Sequence, residues 1–343
     1  MKKLLILVNK KGPKKKLFTR IISQNLGSDV QVSLGKFADV TIEINESDVK
    51  AFITDFEKTP GFQPGDESNS DMSSSLEETP RSQRGEDVIN GNNFKEFDLV
   101  YFRRIDHSIF PLSGTLALCL DKLGVKYFDT KFREIGAAGD KVTSLVKLAL
   151  SGVSVPKTLF VTREKILEDK EKIISMLGLP LIAKDTQTQG NKGVYVIKKK
   201  EDFSELLNLK KERLSGTPIQ FLLQEFINID KEYRLLVLKD KVVSIHKKDK
   251  RSYDKLAVDY EVHDLPIEFV DLKTVPDSLK EAAVKAAQAL NVEIGGVDGL
   301  LTKEGGKPVI LEVNRGPGIE YDTKKSPEMD EIAKFFKREL EDA

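Results

Sequence analysis

Apolar residues bunch rather than alternate at the start of the chain. Leu4-Leu5-Ile6-Leu7-Val8 is an unbroken run of five, the pattern of a strand buried on both faces of a parallel sheet. Residues 17–26 read as a helix and 39–44 as a second strand. The pattern collapses after Lys58. Residues 59–94 are rich in Ser, Glu, Asp, Gly, Pro and Asn, with too little apolar surface to offset the entropy of ordering, so a disordered insertion is expected there. Patterning returns with a strand at 97–102, a helix at 116–123 and a short strand at 125–128. Strands alternating with helices predict a small open parallel sheet.

Beyond it, Asp140 is placed to cap a helix that ends at Gly152. A strand at 155–161 and a helix at 162–177, ending at Gly178, follow. Strands are then expected at 179–184, 194–197, 219–227 and 235–238. Near the C-terminus, two apolar runs flank Lys303-Glu304-Gly305-Gly306-Lys307 and read as a hairpin.

Composition narrows the function classes. The 343 residues suffice for two or three lobes and a sizeable core. The 55 basic and 55 acidic side chains cancel, so no global charge points to nucleic acid or an anionic membrane. A single Cys, Cys119, excludes an intramolecular disulfide and a Cys-rich zinc site and fits a reducing cytoplasm. His107, His246 and His263 are too few for a His-rich metal centre. No stretch reaches the ~20 apolar residues of a membrane span. The first apolar run is also shorter than the roughly 7–15 residues of a secretory signal. The chain is compatible with homo-oligomerisation.

Folding the C-terminal hairpin about Gly305 sets Asp298 opposite Glu312, with Asn314 on the same face. Two carboxylates facing each other are destabilising, but with an amide oxygen they suit a hard cation, best Mg²⁺ shared with nucleotide phosphates. The alternative is an ordinary polar face of an exposed hairpin. Lys184 ends one strand, and Gly190 and Gly193 punctuate the loop that follows. Such a loop can aim backbone N–H groups at phosphate oxygens, with Lys184 as a point charge. It is not a P-loop, because GxxxxGK[ST] is absent and no helix follows. Gln224 and Glu225 close an apolar strand, and Glu232 and Arg234 lie just beyond. They could read an adenine edge and a ribose, or form a surface ion pair. Arg103 and Arg104 follow a strand end, where ligands bind in open sheets, although surface arginines explain them equally.

Taken in order, these segments resemble the ATP-grasp superfamily, in the glutamate-ligase-like branch typified by the ribosomal-protein glutamate ligase. The matching strings are Asp140-Lys141, Leu181-Ile182-Ala183-Lys184 with Gly190 and Gly193, and Gln224-Glu225-Phe226-Ile227 with Glu232 and Arg234. Gly296-Val297-Asp298 and Leu311-Glu312-Val313-Asn314 with Pro317-Gly318 complete the set. The resemblance implies an α/β and α+β fold. A small parallel-sheet pre-ATP-grasp domain (1–135) would precede a two-lobed ATP-grasp fold, with a central lobe (136–224) and a C-terminal lobe (225–343). It implies that Lys141 and Lys184 contact ATP phosphates, that Gln224 to Ile227 hold adenine, and that Glu232 holds ribose. Asp298, Glu312 and Asn314 would ligate Mg²⁺, two ions in number, with Mn²⁺ able to substitute. The implied reaction joins a carboxylate acceptor, whether small molecule, peptide or protein, to an amine donor through an acyl phosphate. No nucleic acid or membrane takes part.

One position departs from the branch. Lys248 stands where an Arg is expected, and Lys cannot make the planar bidentate contact that Arg makes. Arg251 or Arg315 could take over contact with the acyl phosphate or a substrate carboxylate. Two other readings stay open: a nucleotide-binding module without ligase activity, and an ATP-grasp phosphotransferase.

Overall fold

The computed structural model describes residues 1–45, 48–59, 92–105, 110–134, 141–161, 163–186, 193–209, 220–248 and 268–342. Gly190, Arg251, Asp140 and most of the 59–94 segment lie outside them.

β1 (Lys2–Val8) is the centre of a five-stranded sheet. It pairs in parallel with β2 (Val30–Lys36) and β7 (Leu99–Phe102). β8 (Lys126–Phe128) extends the parallel set, and β5 (Phe56–Lys58) closes the other edge antiparallel. Residues Leu4 to Val8 are fully buried, as a strand covered on both faces must be. The second strand of this sheet is β2. The expected strand at 39–44 is instead β3 (Val40–Asn45), which pairs with β4 (Asp48–Ile53) in a separate antiparallel sheet completed by β6 (Asn92–Asn93). Phe94 is fully buried, so the last residues of the low-complexity segment belong to the core.

One face of the parallel sheet packs on α2 (Phe110–Leu123) and the small antiparallel sheet. The other receives α1 (Pro13–Leu26) and, from the far end of the chain, α7 (Glu328–Glu341). Met329, Ile332, Ala333, Phe336 and Leu340 recur at helical spacing and are buried. The Phe336 ring lies 5.5 Å from Tyr101 and the Phe335 ring 5.4 Å from Phe128.

A second sheet, β9 (Thr158–Val161), β10 (Leu181–Asp185), β11 (Val194–Ile197) and β12 (Phe221–Glu225), is antiparallel in the order β11-β10-β12-β9. α4 (Lys170–Leu177) and α5 (Asp202–Leu209) cover it. The helix expected over 162–177 forms only from Lys170, after a 3-10 turn at Arg163–Lys165.

The third sheet runs β14-β13-β15-β16, from β13 (Ile229–Leu238), β14 (Lys241–Lys247), β15 (Ile294–Thr302) and β16 (Pro308–Arg315). Alternation along β13 gives its faces different duties. Tyr233, Leu235 and Val237 pack on α6 (Asp277–Ala289) and α3 (Lys141–Leu150). On the opposite face, Leu236 and Leu238 join the core built on the parallel sheet and α7. One apolar core therefore welds the first sheet to the third. Among the described residues no helix is long and apolar enough to cross a membrane.

At this junction Asp129 is fully buried and accepts hydrogen bonds from the backbone N–H groups of Glu293 and Ile294, each at 3.0 Å. Burial, and then the Glu293 carboxylate, raise its pKa, against the opposing pull of those N–H donors and Arg315. A carboxyl with a raised folded pKa contributes stability below its unfolded value of about 3.9 and loses it as pH climbs through the folded value. Stability should therefore fall as pH rises from about 4 toward neutrality. Asp129→Asn, which can still accept both N–H groups, should flatten that slope. Urea denaturation stepped between about pH 5 and 8 measures it, and an unchanged slope in the variant would contradict the assignment.

Candidate active site

The hairpin of β15 and β16 turns through Gly305 and Gly306, both at positive φ (+80° and +60°), which explains the glycine pair. Near the turn Leu301 pairs with Pro308 and Gly299 with Ile310. Continued unchanged, that register would set Asp298 against Leu311. A β-bulge at Leu311 shifts it, and Asp298 faces Glu312. The pairing expected from the sequence is present, but the bulge produces it. Asn314 shares the face of Glu312 and donates from Nδ2 to Glu312 Oε1 at 2.8 Å.

Asp298 is 2% exposed. Arg234, its cross-strand neighbour on β13, grips it bidentately, Nε to Oδ1 at 2.8 Å and Nη2 to Oδ2 at 2.9 Å. Lys248, just past β14, reaches Asp298 Oδ2 at 2.7 Å and Glu232 Oε1 at 3.2 Å. Its backbone N–H also donates to the Glu232 carbonyl. Burial alone would raise the Asp298 pKa, but Lys248 and Arg234 outweigh it and hold the carboxyl well below the usual range. The sequence allows a Glu232–Arg234 surface pair as one alternative. The structure instead gives Arg234 to Asp298 and Lys248 to Glu232. Cross-strand register was the only signal that could have shown this.

Between the second and third sheets lies a cleft lined by Lys184, Gln224, Glu225, Phe226, Ile227 and Glu232. Ile182 forms one apolar wall, and Leu300 and Leu311 the other. Residues 226–228 connect β12 directly to β13, so they join the two sheets that form the walls. Gln224 is buried and its Nε2 donates to Thr158 Oγ1 at 2.8 Å, while the Lys157 backbone N–H donates to Glu225 Oε1 at 2.7 Å. Lys141, the first residue of α3, donates from Nζ to the Asp185 carbonyl at 2.8 Å, beside Lys184. Gly193 sits at the base of the expected phosphate loop, its carbonyl accepting from the Asp185 N–H.

Arg315 does not join this group. Strand alternation turns it away from Glu312 and Asn314, and its guanidinium lies 4.8 Å over the Phe132 ring, where burial lowers its pKa to about 10. The structure places this side chain, expected to contact substrate, against the N-terminal sheet region. His246 pairs with Arg234 across β13 and β14, and burial lowers its pKa to about 4.

The donor set, two carboxylates and an amide oxygen, is the hard-oxygen chemistry that Mg²⁺ takes. Because both Asp298 oxygens are engaged by Arg234 and Lys248, one of those contacts must give way for Asp298 to ligate. Among the described residues no three His, Cys, Asp or Glu side chains converge to hold a metal, so phosphate oxygens and water would complete the coordination.

Comparison with known proteins agrees with this architecture. Residues 138–334 match the family model of the RimK-like ATP-grasp domain. A probable alpha-L-glutamate ligase of Legionella pneumophila (strain Corby) is 30% identical over 231 residues, 67% of this chain and 72% of that protein. A protein of the same name from Cellvibrio japonicus is 28% identical over 234 residues, with 67% and 72% covered. Among solved structures, the ATP-grasp ligase PsnB complexed with minimal precursor, Mg and ADP superposes with a TM-score of 0.63. It is 13% identical, and the match covers 98% of this chain and 97% of PsnB. The chain belongs to the RimK-like ATP-grasp family. It is an ATP-grasp ligase, with the nucleotide-binding fold of that family.

Removing one partner of a buried ion pair strands the other charge. Arg234→Ala should therefore destabilise the protein by about 3 kcal/mol. Asp298→Ala on that background should recover part of the loss. A double-mutant cycle by urea denaturation checks it, and strictly additive losses would show that the pair is not coupled.

Proposed function

We propose that this chain activates a carboxylate with ATP and joins it to an amine through an acyl phosphate, using the cleft between its second and third sheets. The observation that carries this is convergence. Lys184, the 224–227 connection and Glu232 line one cleft, Lys141 reaches the Asp185 carbonyl beside Lys184, and Lys248 links Glu232 directly to Asp298 of the hairpin. Adenine lies on residues 224–227 between Ile182 and the two leucines. Glu232 takes the ribose hydroxyls, and Lys141 and Lys184 face the phosphates. Asp298, Glu312 and Asn314 would hold Mg²⁺, two ions being the expected number and Mn²⁺ the expected substitute. When bound, the metal would neutralise charge that spreads over the transferred phosphoryl group.

The chain's own task is alignment. A carboxylate oxygen attacks the γ-phosphorus, the bond to the β-phosphate oxygen breaks, and ADP leaves. The amine nitrogen then attacks the acyl carbon, inorganic phosphate departs, and the ammonium proton is lost. No side-chain nucleophile is required. The name of the relatives makes L-glutamate the first substrate to supply.

ADP release should require Mg-ATP, a carboxylate and an amine together, tested with L-glutamate, pooled amino acids and dipeptides. Glu312→Ala should lower that rate at least about a hundredfold, as loss of a metal ligand does. ADP release that needs no carboxylate would sink the proposal.

His246 beside Arg234 favours one further reading, transfer of phosphate to the protein. Acid-labile phosphate on the protein after incubation with labelled ATP would support that reading, and its absence is expected.

A further inference from the structure

The structure commits most of the cations near the cleft. Lys248 and Arg234 are engaged with Asp298 and Glu232. Arg315 is stacked on Phe132. Arg104 differs. It is exposed, and it lies just beyond the carboxyl end of β7, the edge at which open parallel sheets bind ligands.

Arg104 is held against the exit of β16. Its Nε donates to the Gly316 carbonyl at 3.3 Å, and Gly316 lies two residues past Asn314. A Cβ on Gly316 would fall 2.6 Å from the Arg104 backbone nitrogen, and one on Gly318 would fall 3.3 Å from its Nη2. The strand that delivers Asn314 thus continues into glycines that leave room for this arginine. Arg104 itself has φ +51°, the left-handed region that a side-chain-bearing residue rarely adopts. Such strain persists where the surroundings enforce it, and it clusters at ligand sites.

Behind it, Arg103 is 1% exposed, with its guanidinium 3.8 Å over the Phe18 ring. Its Nη2 donates to Tyr321 Oη at 3.4 Å, while Nε and Nη1 are buried with no hydrogen-bond partner. Among the described residues no carboxylate pairs with either arginine. Unmet donors on a buried cation are costly. Burial, and then the charge of Arg103 with a smaller push from Arg234, lower the Arg104 pKa. Among the described residues the cluster thus carries positive charge without a carboxylate partner, with exposed Arg104 beside the strand that carries Glu312 and Asn314.

We infer that Arg104, backed by Arg103, anchors a carboxylate of the acidic substrate, presenting it beside Asn314. This rests on the ligase reading above and names the residue that selects the acid. A planar guanidinium can take a carboxylate bidentately, which Lys248 cannot.

The test uses Arg104→Asn and Arg104→Lys, with Arg104→Gly in reserve. Asn and Gly tolerate the left-handed backbone, so these variants should melt at or above the wild-type temperature and bind an ATP analogue with Mg²⁺ unchanged. The probes are glutarate, L-glutamate and L-glutamyl-L-glutamate, titrated in the presence of that analogue. At least one should bind the wild type, with its dissociation constant raised at least about tenfold in the Asn variant and less in the Lys variant. A merely structural role would lower the melting temperature and leave probe affinity intact. Equal affinity in the Asn variant, or no probe binding to the wild type, would overturn the inference. Carboxylate-dependent ADP release with the same KM in both proteins would also overturn it, while leaving the ligase reading standing. Arg104-dependent probe binding without ADP release, whatever amine is supplied, would do the reverse.

Discussion

The Asp298 carboxylate is the constraint on which the third sheet is arranged. It lies on a central strand with almost no exposure, and a charge that deep persists only with partners. β13 supplies Arg234, and the residue after β14 supplies Lys248. β15 carries Asp298 itself, and the bulge on β16 sets Glu312 opposite. Lys248 also holds Glu232, so the carboxylate assigned to ribose and the one assigned to metal share one ammonium. The two ends of the proposed nucleotide site are therefore joined by one side chain.

The same face of β13 that carries Glu232 and Arg234 continues into Leu236 and Leu238, buried under the parallel sheet and α7. Polar chemistry and apolar docking are consecutive stretches of a single strand face. The N-terminal sheet is fixed relative to the site by ordinary hydrophobic packing, with Phe335 and Phe336 of α7 against Phe128 and Tyr101. That packing brings the strand end holding Arg103 and Arg104 against Gly316 and Gly318. A site that needs both an N-terminal and a C-terminal segment follows from a core that both ends of the chain build.

Much of this was legible in the chain. The run at Leu4 to Val8, the glycine turn at Gly305 and the order of the phosphate, connection and metal segments follow from local periodicity and turn chemistry, which neighbouring residues set by themselves. Other features were not. The pattern at 39–44 is strand-like, but nothing local says to which sheet it belongs. The strand β2 and the helices α6 and α7 went unread, although α7 decides how the first and third sheets meet. The bulge at Leu311 has no glycine to mark it.

The sequence by itself determined the order of the elements that periodicity and turn residues mark, and through that order the family and its chemistry. It also put Asp298, Glu312 and Asn314 in one hairpin, while the bulge at Leu311, which only the structure shows, sets Asp298 against Glu312. The tertiary structure alone decided which cation neutralises which carboxylate. Arg234 and Asp298 are 64 residues apart and Lys248 and Asp298 are 50 apart, so their pairing depends on how strands from distant segments align. It alone set Arg315 over Phe132 and brought Arg104 against Gly316, because the packing of one sheet on another joins segments far apart in the chain.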